Sequence, residues 1–177
     1  MIRRITNGLM CIGFVVVLLP ISATFSADEA SSELLKMIVT LIADKDQDFR
    51  AAGLDHVRSG AKGPAATKLF TDQLPVLPPA VQVSLLNALS DRGDIDARTA
   101  ILQLQRSSQD ESVRAAAIIA LGRLGNASDL PMLVDSLTSK SDIEQTAASH
   151  SLSRLSGDDV TKLLATQLNN ATPVLKA

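Results

Sequence analysis

Hydrophobic residues in this chain return with a period of about 31 residues, and that return restricts the fold to a stack of similar units. In one column Phe49, Val81, Val113 and Ile143 stand 32, 32 and 30 residues apart, and in a second Leu69, Ile101, Leu133 and Leu164 stand 32, 32 and 31 apart. Helix-start residues keep the same step, with Asp46, Pro78, Asp110 and Asp142 each 32 from the last. Three columns sharing one period describe two short helices per copy, which is an α-solenoid.

The clearest copy, residues 110–137, shows why. Asp110 suits a helix N-cap, because its carboxylate accepts from an unpaired backbone N–H and faces the positive end of the helix dipole. Val113, Ala116, Ala117, Ala120, Leu121 and Leu124 then recur at spacings of three and four, the rhythm of one apolar helical face. Gly122 and Gly125 are expected to close that helix and allow the turn. Ser128 or Asn126 caps the second helix, Pro131 fits its first turn, and Leu130, Leu133, Val134 and Leu137 supply the facing stripe. One such pair has only its neighbours to bury against, so copies stabilise each other.

Residues 1–27 stand apart from the repeats. Arg3 and Arg4 precede an apolar run from Leu9 to Leu19, Pro20 breaks it, and the small residues Ser22, Ala23, Ser26 and Ala27 follow. That pattern is a secretory signal peptide, too short in its apolar part to span a bilayer of about 20 residues' thickness. It predicts export to a periplasmic or extracellular space, cleavage after Ser26 or Ala27, and no membrane attachment afterwards. Cys11 lies at the start of the apolar run and leaves with it, so the mature chain carries no disulfide. Residues 28–32 read as a short solvated leader. From 33 to 43 Leu34, Leu35, Ile38, Val39 and Ile42 form an amphipathic helix, a half repeat covering the N-terminal end of a repeat domain that runs from 33 to 177.

Composition then excludes several functions. Arg3 and Arg4 leave with the signal while all 19 acidic residues remain, so the mature chain is mildly acidic and unsuited to nucleic acid. The chain has no Trp or Tyr, and Phe14 and Phe25 also leave, so only Phe49 and Phe70 could serve as aromatic platforms. No cysteine nucleophile, serine elbow or phosphate-binding glycine loop is present, and no cofactor is expected. His56 and His150 occupy nearly equivalent places and read as partly buried spacers. Asp44, Asp46, Asp48 and Asp55 have the ligand spacing of a calcium loop, but Phe49 stands where that loop needs Gly, so capping explains them better. Arg92-Gly93-Asp94 spells an adhesion tripeptide, yet it falls at the copy's tight turn, with Asp94 expected to cap the next helix. Arg58, Arg92, Arg123 and Arg154 form a row at first-helix ends, where the carbonyl end of the dipole favours cations by about 0.3–1 kcal/mol each. Asn126-Ala127-Ser128 and Asn170-Ala171-Thr172 match the glycosylation sequon, which matters only in a source that glycosylates exported proteins.

Asp110, Val113-Arg114, Ala116-Ala117, Ala120-Leu121-Gly122 and Leu124-Gly125, followed by Pro131 and Leu133, resemble the HEAT-like repeat of the phycobilisome-lyase type. The resemblance covers 33–177. Copy two departs from it with Gln82 in place of the Arg, and copy four carries an extra residue before Leu152. It implies an all-α fold, a right-handed α-α superhelix of about four two-helix repeats behind the half repeat, and a protein-binding or scaffolding role. Bilin chemistry is not carried over with it.

The C-terminus restarts the first-helix pattern at Val174 and then stops at Ala177. An open apolar end forgoes about 1.5–3 kcal/mol for each Leu or Val left exposed, which predicts either a truncated relative of a longer protein or self-association through that end. Three functional classes follow. The first is a non-catalytic adaptor for an unidentified protein partner, with a polar strip on the second helices made by Arg98, Gln105, Asp135 and Lys162. The second is the repeat module of a larger exported enzyme, separated from its catalytic domain. The third, ranked last, is a bilin lyase-like activity.

Overall fold

The computed structural model describes residues 27–60 and 63–155, together with 161, 162 and 166. Residues 1–26 of the segment read as a signal peptide, the sequon at Asn170, the Leu164 position and the C-terminal end lie outside the described residues. Between Ala27 and Arg154 eight α-helices follow one another: α1 (Ala27–Ile42), α2 (Gln47–Ser59), α3 (Pro64–Thr71), α4 (Pro79–Arg92), α5 (Arg98–Ser107), α6 (Glu111–Leu124), α7 (Leu130–Ser136) and α8 (Asp142–Arg154). Short 3-10 turns at Leu74–Val76, Ile95–Ala97 and Ala127–Asp129 join several of them, and no strand occurs among the described residues. The solenoid read from the period is therefore the fold. Helix α1 begins at Ala27, so the residues read as a solvated leader are helical.

Helices α2, α4, α6 and α8 form one row, each packed on the next. The second helices behave differently. Helices α1, α5 and α7 come closest, backbone to backbone, to the first helix that follows them (α2, α6 and α8), while α3, α5 and α7 scarcely approach one another. The covalent unit of helix, turn and helix is thus not the packing unit. A 3-10 turn leads from each of α4 and α6 to its second helix and swings that helix toward the next copy.

The local signals behave as their chemistry requires. The carboxylate of Asp110 accepts from the backbone N–H groups of Ser112 and Val113, and Asp46 caps α2 in the same way through Asp48. Pro64 and Pro79 open α3 and α4, where a missing N–H costs nothing. Gly93 ends α4 in the left-handed region at φ 74°, a conformation glycine adopts freely. In the fourth copy the N-cap is Ser141 and Asp142 is the first helical residue, one place off the column.

A continuous core runs from α1 to α6, with Ile38, Ile42, Phe70, Leu74, Leu85, Leu86, Leu89, Ile101 and Leu121 essentially closed to solvent. Each such side chain contributes about 1.5–3 kcal/mol of burial. A second cluster joins Ala115, Ile118, Leu133, Ala147 and Ala148 between α6, α7 and α8. Helix α6 is buried well beyond the stripe read from its sequence, at Ala115, Ile118 and Gly122 as well, because α4, α5 and α8 all lie against it. Gly122 lies inside α6, not at its end, which corrects the turn reading. A Cβ there would sit 2.7 Å from the Ser151 Cα of α8, so the missing side chain is what lets the two backbones meet. Ser151 adds to the contact by donating from Oγ to the Ile118 carbonyl at 2.8 Å.

The ends of the first column diverge from its middle. Val113 is fully buried, whereas Phe49 is 54% exposed and Ile143 is 45% exposed. Both lie in the first turn of their helices, in the outermost described members of the first-helix row.

Candidate partner-binding grooves on the second-helix row

Polar side chains stitch the copies together, and they decide which surface is left available. Asp91 of α4 receives Arg58 of α2 at 3.4 Å on one side and Arg123 of α6 on the other. The arginine row is therefore explained by partners as well as by the dipole: Arg58 and Arg123 bracket one carboxylate, and Arg58 also meets Asp55 at 2.7 Å. Arg92 is wholly different. Its side chain has no solvent exposure, donates from an Nη to the Val57 carbonyl at 2.9 Å and lies 5.5 Å from the centre of the Phe70 ring. Arg154, at the end of the row, is exposed.

Asp94 completes that knot, and it is not the helix cap its sequence position suggests. Its carboxylate accepts from Thr67 Oγ1 and from the Gly63 N–H at 3.4 Å, and lies 3.6 Å from Arg92 Nε. The Thr67 hydrogen bond, backbone donors and the Arg92 charge together hold the Asp94 carboxyl below its ordinary range, against the opposing effect of burial. An adhesion role for Arg92-Gly93-Asp94 is excluded by the same contacts, since the arginine is inside the protein. The aspartates near Asp46 are likewise accounted for by capping: Asp44 accepts from the Asp46 N–H, Asp46 from the Asp48 N–H, and Asp55 pairs with Arg58. Among the described residues no cluster of His, Cys, Asp and Glu is placed to hold a metal ion, and no helix is long and apolar enough to cross a membrane. His56 and His150 are exposed, not partly buried.

Further along, Arg114 of α6 reaches Glu144 of α8 at 2.6 Å, and Ser139 donates to the same carboxylate at 2.9 Å. Arg98 makes the most complete bridge. Its Nε and Nη2 donate to the two oxygens of Asp129 at 2.9 and 2.6 Å, and Nη2 also reaches Ser128 Oγ at 2.8 Å. Asp129 is 3% exposed and is held in turn by a capping box with Asn126, which caps the 3-10 turn Ala127–Asp129; α7 itself starts after Asp129 without a side-chain cap, so neither Asn126 nor Ser128 caps it directly. The Asp129 hydrogen bonds raise the Arg98 guanidinium further above its ordinary value. Arg98 was expected on an open polar strip; it is instead a clamp fixing the start of α5 to the turn before α7.

Ser128, which Arg98 contacts, also lines a groove between α5 and α7. The groove has a volume of about 530 Å³ and brings together Gln105 and Asp135, two of the four residues expected on the strip. Arg106 of α5 and Pro131 and Met132 of α7 line it too, none of them expected on the strip, as does Glu144, whose carboxylate is taken by Arg114 and Ser139. Neither Arg106 nor Asp135 has a side-chain hydrogen bond or ion pair among the described residues. A neighbouring groove of about 430 Å³ separates α3 from α5 and is lined by Lys68, Asp96, Thr99 and Gln103, with Lys68 tied to Asp72 at 2.9 Å. Lys162 is exposed, but no described contact joins it to either groove. The expected strip is thus two grooves separated by α5, with Arg98 withdrawn from it.

A surface of this kind, wide and polar, without a cluster of reactive groups, is suited to holding another macromolecule. No curated protein matches the chain. The family model for HEAT repeats matches it twice, over residues 67–153 and 106–176, which together cover most of its length. Proteins built of such repeats use stacked helices as interaction or scaffold surfaces. On its period, its stacked helix rows and this match, the chain belongs to the HEAT-repeat family.

Proposed function

We propose that this chain is a non-catalytic protein-binding module that acts outside the cytoplasm, and that it engages its partner through the second-helix row. The observation that carries the reading is the separation of α3, α5 and α7, which leaves two adjoining grooves on one side of the solenoid, of about 530 and 430 Å³, each larger than the groove of about 270 Å³ between α2 and α4 on the first-helix row. Side chains at Thr99, Gln103, Arg106 and Asp135 stand exposed there and make no side-chain hydrogen bond or ion pair among the described residues. Lys68 and Arg98 on this side are paired with Asp72 and Asp129, whereas Arg106 and Asp135 form no ion pair among the described residues, and charges left open in a groove support binding there. The export half of the reading rests on Arg3, Arg4, the apolar run to Leu19 and the small residues up to Ala27. The phycobilisome-lyase type remains a subfamily assignment supported by the 110–137 motif, taken here for its scaffold architecture and not for bilin chemistry.

Site-specific crosslinking tests the surface. A benzophenone side chain is installed at Gln103 or Gln105 in the grooves, or at His150 on the first-helix row, and the chain is expressed in cells of its source. The groove positions are expected to label a common partner in the exported fraction, and His150 is expected to label none. Labelling from His150 alone, or a partner confined to the cytoplasm, would overturn the reading. N-terminal sequencing of the exported chain is expected to begin at Ala27 or Asp28; an intact Met1 would remove the export half.

A further inference from the structure

The geometry points to a peptide segment carrying one acidic and one basic side chain as the occupant of the α5–α7 groove, the acid meeting Arg106 and the base meeting Asp135. This rests on the second-helix row being the binding face and specifies what one groove selects. Across this molecule opposite charges that lie near each other are consumed: Arg98 with Asp129, Arg114 with Glu144, and Arg58 and Arg123 with Asp91. Arg106 and Asp135 are the exception inside a single groove. They line the same cavity from α5 and α7, both exposed, and yet form no ion pair with each other or with any described neighbour.

A ligand of one sign would satisfy one of these groups and be repelled by the other. A ligand bearing both signs in the right order satisfies both, and like-charge repulsion rejects the reversed order. Between them the half-buried Met132 and the exposed Pro131 offer apolar surface to the alkyl parts of such a segment, and Gln105 offers both a donor and an acceptor to its backbone. The groove volume of about 530 Å³ matches a few residues of chain and is far smaller than a folded domain.

The test applies the full chain to an array of short Ala and Ser peptides carrying one Glu and one Lys, at every spacing and in both orders, beside arrays with Glu alone and with Lys alone. One order is expected to bind about fivefold better than either single-charge set, the size that two rim ion pairs provide. In the doubly reversed variant, R106E with D135K, the preferred order is expected to invert, a change that simple misfolding does not produce. No preference for order in the parent chain, or the same preference in the reversed variant, would overturn the assignment. The benzophenone at Gln103 separates this from the broader reading: peptides labelled from Gln103 and not from Gln105 would sink the α5–α7 assignment while leaving the face intact. Labelling from neither would sink both.

Discussion

The two helix rows of this protein have the same period and opposite designs. Along the first row, small residues on α6 and α8 let backbones touch, Asp91 joins three helices through Arg58 and Arg123, and Ser151 reaches the Ile118 carbonyl. Along the second row, α3, α5 and α7 stand apart, connected through α6, α8 and the 3-10 turns but hardly to each other. Close backbone contact therefore concentrates in one row and the larger grooves in the other, while both rows feed the shared core. The difference teaches that a repeat needs only one close-packed seam to be a stack; the other seam is free to open and serve a partner.

The sharpest way to break this contrast is to push the first row apart. Gly122→Val places a branched side chain where even a Cβ would meet Ser151 backbone at 2.7 Å. Helix propensity favours the replacement slightly, but the backbone opposite cannot yield as a flexible side chain would. We expect a loss of about 3 kcal/mol or more, read from urea unfolding followed by circular dichroism at 222 nm. A loss under about 1 kcal/mol would show that α6 and α8 slide past each other readily and that the first row is not the rigid seam.

Next in size is the knot between the first and second copies. Asp94→Ala removes the acceptor for Thr67 and Gly63 and leaves the buried Arg92 without its carboxylate, at a cost of about 2–3 kcal/mol. This contribution also depends on pH. The Asp94 carboxyl ionises at lower pH in the folded chain than in the unfolded one, chiefly because Thr67 donates to it. Its stabilisation is therefore complete above the ordinary aspartate value of about 4 and is lost as pH falls through the lowered folded value. The stability difference between the parent and Asp94→Asn is expected to shrink on acidification below about pH 4. A difference that is constant from neutral pH to pH 2 would contradict the assigned contacts.

How much of this was legible in the sequence depends on which physical term set each feature. The two helices per copy, the caps at Asp46 and Asp110 and the turn at Gly93 were legible because each is decided within a few residues. Gly122 was misread as a terminator, since nothing in its own helix tells that Ser151 of the next copy lies against it. Arg98 was misread as open surface for a related reason. The signal that could have found it is the period itself: Asp129 lies 31 residues on, Asp91 lies 33 beyond Arg58, and Glu144 lies 30 beyond Arg114. Opposite charges about one period apart meet across the copies in this chain. The grooves were not legible, because they lie between helices of successive copies and exist only in the assembled stack.

The charge ladder sharpens the contrast at lower energy. Asp91→Ala leaves Arg58 and Arg123 without a shared carboxylate, but both guanidiniums and the carboxylate are about two-fifths exposed, so solvent and salt reduce their worth. We expect about 0.5–1 kcal/mol at low salt and less at high salt, by denaturant titration in both. An effect as large as that of Gly122→Val would mean that the ladder, and not close backbone contact, holds the first row together.

The smallest expected effect is the most informative for function. R106E and D135K, alone or together, change exposed side chains that make no hydrogen bond or ion pair among the described residues. Their effect on folding is expected to stay within about 0.5 kcal/mol, the range for surface substitutions away from buried networks. Arg98→Ala, by contrast, exposes the buried Asp129 to an unpaired state and is expected to cost about 2 kcal/mol while sitting only two helical turns away from Arg106. Measured together by urea unfolding, the four variants divide one side of α5 into a structural end and a free end. If R106E with D135K destabilised the chain as much as Arg98→Ala, the α5–α7 groove would be part of the scaffold, and the division of labour between the two rows would fail at the place where binding has been assigned.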